Sequence, residues 1–154
     1  MRDAMLNQTA PAFSLPDQND TLHSPSDYRG RWCVIYFYPK DDTPGCTKQA
    51  CNLRDNYAVL VDKNIQIIGI SCDKEQNHQQ FADKYQLPFT LLSDAQGTTA
   101  RQYQCLFSLG PIKFAKRHSF LIDPEGIIRA TFRNVQAGQH SQQILDAFER
   151  LTLC

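Results

Sequence analysis

Two runs of predominantly apolar, β-favouring residues dominate the hydrophobic pattern of the chain, at residues 33–38 and 65–71. Neither run alternates with polar residues, which predicts strands that are covered on both faces. About 25 residues with a helical pattern separate them, and this order of strand, helix and strand is typical of a βαβ unit. Pro39 closes the first strand, and we expect the connecting helix to begin near Thr43.

The pattern continues to alternate in the second half of the chain. The turn sequence Asp123-Pro124-Glu125-Gly126 separates two β-favouring segments, which predicts an antiparallel hairpin. Leu87-Pro88 ends the preceding helix, since the residue before a proline rarely stays helical. The predicted elements are a helix at 75–85, a strand at 91–92, a helix at 95–103 and hairpin strands at 118–122 and 127–132.

Both ends of the chain carry weaker signals. Short extended pieces at 12–15 and 21–23, broken by prolines and polar turn residues, predict a small N-terminal hairpin. A last helix is expected to start near Ala137, because an apolar stripe follows at helical spacing. The members of that stripe are Ile144, Leu145, Phe148 and Leu151.

These elements together predict the fold class. We expect an α/β domain with a thioredoxin-like fold, in which helices flank a central mixed sheet and the N-terminal hairpin is an extension. Neither a repeat nor a linker interrupts the composition, so residues 1–154 are expected to form one domain.

Charge and composition exclude several classes of partner. The 16 basic residues balance the 16 acidic ones, and no basic stripe is present, so neither nucleic acid nor a membrane is an expected partner. The N-terminus lacks the apolar run of a secretory signal, which favours a cytoplasmic location. Catalytic or redox use of the six cysteines is favoured over a disulfide framework.

The candidate chemistry lies where the first strand leads into its helix. Thr43 can accept an N-cap hydrogen bond and Pro44 fits the first helical position, so Cys46 falls in the first turn. A helix N-terminus with a nearby cation lowers a cysteine pKa from about 8.5 to roughly 3.5–7.5. Amide donors at the helix start, with the Thr43 hydroxyl, could also hold a peroxide oxygen in line with the sulfur. Attack by such a thiolate leaves a sulfenic acid on Cys46.

Cys51 follows Cys46 within the same predicted helix. Five residues of straight helix correspond to a rise of about 7.5 Å, whereas a disulfide needs Cα atoms within about 7 Å. Pairing of the two cysteines would therefore require the first turns of the helix to unwind. The residues alone leave open an external thiol, Cys72 or Cys105 as the partner of oxidised Cys46.

The loop carries a specific family resemblance. Pro39, Thr43 and Cys46 match the pattern of proline, three residues, threonine, two residues and cysteine, and the chain resembles peroxiredoxins of the bacterioferritin comigratory protein type, also called Q-type. The similarity extends over nearly the whole chain. It implies a peroxidase for hydrogen peroxide and alkyl hydroperoxides, recycled by thioredoxin or a glutaredoxin-like dithiol donor. It also implies that Cys51 is the resolving cysteine and that the protein is a monomer.

The same resemblance assigns an arginine to the thiol. Arg117 occupies the position of the family arginine that holds the thiolate and the peroxide, and Arg129 and Arg133 are the fallback candidates. A guanidinium suits this role because it stays charged and offers several donors. The family usually has glutamate where this chain has Gln49, so any ion pair made by that glutamate is absent here.

Other residues receive structural interpretations. Cys33 and Cys72 are expected in the core, and Cys105 and Cys154 are left unassigned. Asp41 and Asp42 are interpreted as a solvated loop pair, and the four histidines as surface or strand residues. Neither a metal nor a cofactor is expected, because no two cysteines have zinc-ligand spacing.

Two competing functions remain. A thiol-disulfide oxidoreductase could use the same fold, but its usual C-x-x-C motif is absent. A redox sensor or a chaperone-like binding module could instead use oxidation of Cys46 to change a partner surface. Such a sensor would stop after one equivalent of peroxide, whereas a peroxidase turns over.

Overall fold

Residues 3–153 are described by the computed structural model, so Cys154 lies outside the described residues, as do the first two residues of the chain. Nine strands occur within the described part. They are β1 (Leu15–Pro16), β2 (Leu22–His23), β3 (Trp32–Phe37), β4 (Ile65–Ser71), β5 (Thr90–Ser93), β6 (Leu106–Leu109), β7 (Ile112–Ala115), β8 (Ser119–Ile122) and β9 (Ile128–Phe132).

Five of these strands form the central sheet, in the order β5-β4-β3-β8-β9. The β3, β4 and β5 strands are parallel, as βαβ connections require. The β8 strand runs antiparallel to both β3 and β9 and closes the sheet with a hairpin. The predicted mixed sheet, parallel in its first half, is therefore confirmed.

The β3 strand is central because both of its faces are apolar. Its residues alternate between two buried clusters, with Val34 and Tyr36 on one side and Cys33, Ile35 and Phe37 on the other. This double burial explains why the sequence run shows no alternation. The carboxyl end of β3 opens into the loop that leads to Cys46.

Five α-helices flank the sheet in the described part of the chain. They are α1 (Pro44–Asp55), α2 (Tyr57–Asp62), α3 (Glu75–Tyr85), α4 (Thr98–Gln102) and α5 (His140–Thr152), with short 3-10 helices at Pro25–Tyr28 and Ala137–Gln139. Residues of α1, α2, α3 and α5 pack on one face, and α4 and the N-terminal segment pack on the other. Within residues 3–153, no helix is both long and apolar enough to span a lipid bilayer.

Two helices differ from the sequence prediction. The helical pattern after β3 breaks at Asn56, whose side chain donates 2.8 Å to the Asn52 carbonyl oxygen, and α1 and α2 are separate helices. The helix predicted over 95–103 is shorter. Its first residues form a turn, because the buried Asp94 carboxylate accepts hydrogen bonds from the Thr99 and Ala100 amides and fixes the start of α4 there.

Two small hairpins lie outside the central sheet. The N-terminal hairpin of β1 and β2 is present, as predicted. The hairpin of β6 and β7 was not predicted, although Gly110-Pro111 is a turn signal between its strands. Gly110 has a φ of 56°, and the rings of Phe107 and Phe114 stack across the strands at 4.7 Å.

Candidate active site

Cys46 lies in the first turn of α1, at the carboxyl end of the central strand. Thr43 is the residue before the helix, Pro44 is its first residue, and the Thr47 amide donates 2.8 Å to the Thr43 carbonyl oxygen. The Cys46 side chain is buried, with only 1% of the residue exposed. The helix therefore begins as the sequence predicted and places the partial positive charge of its N-terminus at a buried thiol.

The Thr43 hydroxyl does not cap the helix, so that part of the sequence prediction is wrong. It donates instead to the carbonyl oxygen of Lys40 at 2.8 Å, and no side-chain cap bond is present. The hydroxyl thus closes the loop between Pro39 and the helix. Its oxygen can still accept a hydrogen bond, because a hydroxyl carries two lone pairs.

Arg117 is the cation that contacts the thiol. It lies just before β8, and its Nη2 is 3.4 Å from Cys46 Sγ. Gly45 makes this approach possible, because a Cβ at that position would lie 2.8 Å from Nη2. Gly45 was not among the predicted site residues, although a glycine inside a helix often has a packing or functional reason.

Gln49 holds the other side of the guanidinium. Its Oε1 accepts from Arg117 Nη1 at 2.8 Å, and the side chain is fully buried. The Nε2 of Gln49 has no hydrogen-bond partner among the described residues. Because an amide is neutral, Gln49 positions Arg117 without neutralising its charge, and that charge acts on the neighbouring sulfur.

The two fallback arginines lie elsewhere. Arg133 is 2.7 Å from an Asp3 carboxylate oxygen and also donates to the carbonyl oxygens of Tyr103 and Gln104. Arg129 is 3.5 Å from Asp123. Arg117 is therefore the arginine that the fold brings to Cys46.

The remaining described cysteines are free thiols in different surroundings. Burial raises the pKa of Cys33 to about 12 and that of Cys105 to about 12. Partial burial, and then the nearby Asp94, raise the pKa of Cys72 to about 11. These three thiols are protonated at neutral pH and are poor nucleophiles.

Cys51 shares α1 with Cys46 and is partly exposed. An intact helix separates the two residues by a rise of about 7.5 Å. Just beyond Cys51, Asn52 accepts a hydrogen bond from the Ser141 amide at 2.8 Å and so attaches α1 to the start of α5. The part of α1 that precedes Asn52 lacks this attachment and includes both cysteines.

The interpretation of Asp41 and Asp42 as a solvated pair is wrong for Asp41. Asp41 is buried, and its carboxylate contacts the Tyr38 hydroxyl at 2.6 Å and His78 Nδ1 at 2.7 Å. Asp42 is exposed and pairs with Lys84 at 2.8 Å. The two neighbours diverge because Asp42 has a φ of 58°, which turns the chain between them.

Two histidines are also more deeply buried than expected. His78 is fully enclosed beside Asp41, and His140 is enclosed beside Ser119, whose hydroxyl lies 2.8 Å from His140 Nε2. Burial lowers the pKa of His140 to about 4, so this ring is neutral at physiological pH. Partial burial, and then Arg133, likewise lower the pKa of His118 to about 4.

One group of potential metal ligands occurs among the described residues. Ligand atoms of Asp41, Asp73 and His78 lie within 4.8 Å of one another. Asp41 Oδ2 is 2.7 Å from His78 Nδ1, whereas two ligands bound to one metal at about 2 Å each would be farther apart. These atoms are held by hydrogen bonds to each other.

Comparisons with known proteins agree with this site and fold. The pattern of the AhpC/TSA family matches residues 6–131. The chain is 40% identical over 141 residues to peroxiredoxin Bcp of Escherichia coli, covering 89% of this chain and 90% of that protein. It is 37% identical over 147 residues to the chloroplastic peroxiredoxin Q of Sedum lineare, covering 93% of this chain and 77% of that protein. Peroxidoxin BcpB of Mycobacterium tuberculosis superposes with a TM-score of 0.90 at 30% identity, covering 97% of this chain and 99% of that one.

A thioredoxin-like fold that places a buried thiol at a helix N-terminus beside a guanidinium defines a class of enzyme, the thiol-dependent peroxidases. The chain belongs to the AhpC/TSA family, in the branch that contains the Bcp and Q-type peroxiredoxins. The sequence predictions of family, fold class and peroxidase activity are thereby confirmed.

Proposed function

We propose that Cys46 is the peroxidatic residue of this enzyme. The observation that carries the proposal is the 3.4 Å contact between Arg117 Nη2 and Cys46 Sγ at the N-terminus of α1. The helix N-terminus and the guanidinium both place positive charge beside the sulfur. No other described thiol is in contact with an arginine at a helix start.

The reaction is a two-electron transfer from sulfur to peroxide. The Cys46 thiolate attacks one peroxide oxygen, the O–O bond breaks, and an S–OH bond forms. The departing oxygen takes up a proton and leaves as water or an alcohol, so the peroxide is reduced while Cys46 is oxidised to sulfenic acid. Arg117 stabilises the negative charge as it moves to the departing oxygen, and the Thr43 hydroxyl and the amides at the helix start orient the peroxide. Pro39 is the remaining proposed site residue, and it lies where the chain leaves β3 and enters the loop.

Hydrogen peroxide and alkyl hydroperoxides are the proposed substrates. A structure of the Xanthomonas campestris bacterioferritin comigratory protein is titled for its alkyl peroxide reduction activity, and this chain matches it at 27% identity with a TM-score of 0.84. Because attack on the O–O bond does not involve the organic group, the same thiolate serves both kinds of peroxide.

Cys51 is the proposed resolving residue. Its thiol attacks the Cys46 sulfenic sulfur, an S–S bond forms, and water leaves. The part of α1 before Asn52 must unwind for this step, because the intact helix keeps the two cysteines too far apart. Cys72 and Cys105 are less suitable, because their raised pKa values leave little thiolate at neutral pH.

A dithiol donor of the thioredoxin or glutaredoxin type completes the proposed cycle. Its two thiols reduce the Cys46–Cys51 disulfide by exchange and are oxidised to a disulfide in turn. The proposal also includes a monomeric enzyme, a single domain over 1–154 and a cytoplasmic location. Gel filtration of the reduced protein tests the first of these directly.

The test is peroxide consumption with thioredoxin and its reductase. We expect Cys46→Ser to remove turnover, Cys51→Ser to lose only thioredoxin-supported recycling, and Cys72→Ser to retain both. Activity in Cys46→Ser would overturn the proposed role of Cys46. Full recycling in Cys51→Ser would overturn the proposed disulfide.

A further inference from the structure

We propose that Asp41 and His78 form a buried hydrogen-bonded pair that holds the reactive loop in the conformation in which Cys46 meets peroxide. The proposal rests on the function proposed above and adds two positioning residues to it. We call the pair, together with Tyr38 and Asp73, the loop latch. None of the four is recorded in hydrogen-bond contact with Cys46, so the latch acts through the loop.

The latch joins the loop to three other elements. Asp41 Oδ2 lies 2.7 Å from His78 Nδ1 on α3, and Asp41 Oδ1 accepts from the Tyr38 hydroxyl at 2.6 Å. The Asp41 amide donates to Asp73 Oδ2 at 2.8 Å, beyond the end of β4. His78 Nε2 reaches the carbonyl oxygen of Leu92 on β5 at 2.9 Å. Side chain and backbone of Asp41 are thus both fixed.

The hydrogen bonds also define where the protons are. A carbonyl oxygen only accepts, so His78 Nε2 must carry the proton that it shares with Leu92. The contact between Nδ1 and Asp41 Oδ2 then requires one further proton, which the two groups share. Because Asp41 Oδ1 accepts from Tyr38, that proton lies on the Oδ2 side of the carboxyl group. The pair is neutral overall, which makes its burial feasible.

The burial of the pair explains why it can control the loop. The side chains of His78 and Asp41 are 0% and 5% exposed. Removal of one partner would leave the other as a buried polar group without its hydrogen-bond partner, so the loop would lose its contact with α3 rather than adjust locally. Asp42, the next residue, makes exposed contacts with Lys84 at 2.8 Å and with the Tyr85 hydroxyl at 2.9 Å, and exposed pairs contribute little.

The loop leads directly into the N-terminus of α1. The Thr43 hydroxyl is bonded to the Lys40 carbonyl oxygen, so a loop fixed at Asp41 is also fixed at the residue that precedes the helix. Reaction with peroxide needs the folded loop, in which Arg117 contacts Cys46. Disulfide formation instead needs the first turns of α1 to be unwound. The latch therefore sets the balance between the two steps.

Paired variants test the latch. We expect Asp41→Asn and His78→Leu to lower the second-order rate constant for oxidation of Cys46 by about tenfold or more, and to raise the rate of disulfide formation after oxidation. Asp42→Asn is the matched control, with the same change of charge at the adjacent position, and should stay within about twofold of the parent. The single tryptophan, Trp32, allows both steps to be followed by stopped-flow fluorescence.

The proposal would be overturned if Cys46 were oxidised as fast in both latch variants as in the parent protein. That result would leave the role of Cys46 intact, since Cys46→Ser tests it separately. A dependence of parent activity on Zn²⁺ or EDTA would also overturn it, because the cluster would then be a metal site. If either variant fails to fold, NMR of the intact protein decides: we expect a slowly exchanging proton in the hydrogen bond between His78 Nδ1 and Asp41, and its absence would contradict the pair.

Discussion

Cys46 and Cys105 are equally buried thiols with different surroundings. Their exposed fractions are 1% and 0%, so access to solvent does not distinguish them. Cys105 packs among Ala100, Tyr103 and Phe120, and burial raises its pKa to about 12. Cys46 instead has a helix N-terminus and the Arg117 guanidinium beside its sulfur. The comparison teaches that the charges around a buried thiol, rather than its burial, decide whether it is a nucleophile.

The largest expected difference between the two thiols is in alkaline stability. The pKa of Cys105 rises from 9.0 in the unfolded chain to about 12 in the folded protein. Its contribution to the free energy of unfolding is complete below pH 9 and is lost as the pH rises towards 12, because the unfolded chain releases the proton first. This pKa difference of about three corresponds to about 4 kcal/mol in the free energy of unfolding. Denaturant unfolding of Cys105→Ala at several pH values should show a free energy of unfolding that falls less steeply above pH 9 than in the parent. An equal change in Cys46→Ala would show that the two thiols do not differ.

Loss of the guanidinium should remove most of what distinguishes Cys46. Arg117→Gln keeps a polar side chain but takes away the charge, and we expect the rate constant for oxidation by hydrogen peroxide to fall about 10²- to 10³-fold. Stopped-flow measurements of the reduced protein check this. Arg129→Gln is the control, since Arg129 pairs with Asp123. A similar loss in both variants would point to a general effect of charge.

Displacing the same guanidinium should have a smaller effect. In Gly45→Ala the new Cβ would lie 2.8 Å from Arg117 Nη2, and the flexible end of the arginine must move away. We expect a decrease of about tenfold in the oxidation rate constant with little change in thermal stability, because one contact weakens while the fold adapts. An unchanged rate constant would show that the 3.4 Å contact is unimportant.

Partial neutralisation of Arg117 should have the smallest effect. Gln49→Glu would place a carboxylate against the guanidinium and reduce the positive field at Cys46. We expect the oxidation rate at pH 7 to fall by a factor of about three. Gln49→Met separates the effect of the hydrogen bond from the effect of charge, because it removes the hydrogen bond to Arg117 without adding a carboxylate. A faster reaction in Gln49→Glu would contradict the electrostatic account.

Local sequence signals were enough to predict the framework. The apolar run predicts β3 and the Thr43-Pro44 pair predicts the start of α1, and both signals depend only on neighbouring residues. Both predictions are confirmed. The β6–β7 hairpin was missed because its strands are short and its outer residues, such as Leu109 at 68% exposure, show no buried pattern. Its Gly110-Pro111 turn was the only available signal.

The site itself was predictable only in part. The positions of Cys46 and Thr43 follow from the helix start, and Arg117 from the family pattern. The loop latch could not be predicted, because Asp41 and His78 are 37 residues apart and meet only when α3 packs beside the loop. For the same reason His78 looked like an isolated histidine. The hydroxyl of Thr43 was misassigned because both an amide and the Lys40 carbonyl oxygen are within reach of such a residue.

The most direct test of the account is to identify the sulfur that peroxide oxidises. The Cys51→Ser variant, treated with one equivalent of hydrogen peroxide and a sulfenic-acid trap such as dimedone, is digested and analysed by mass spectrometry. We predict an adduct on the peptide that contains Cys46 and none on those that contain Cys33, Cys72 or Cys105. An adduct on any of those three, with Cys46 unmodified, would contradict the central claim.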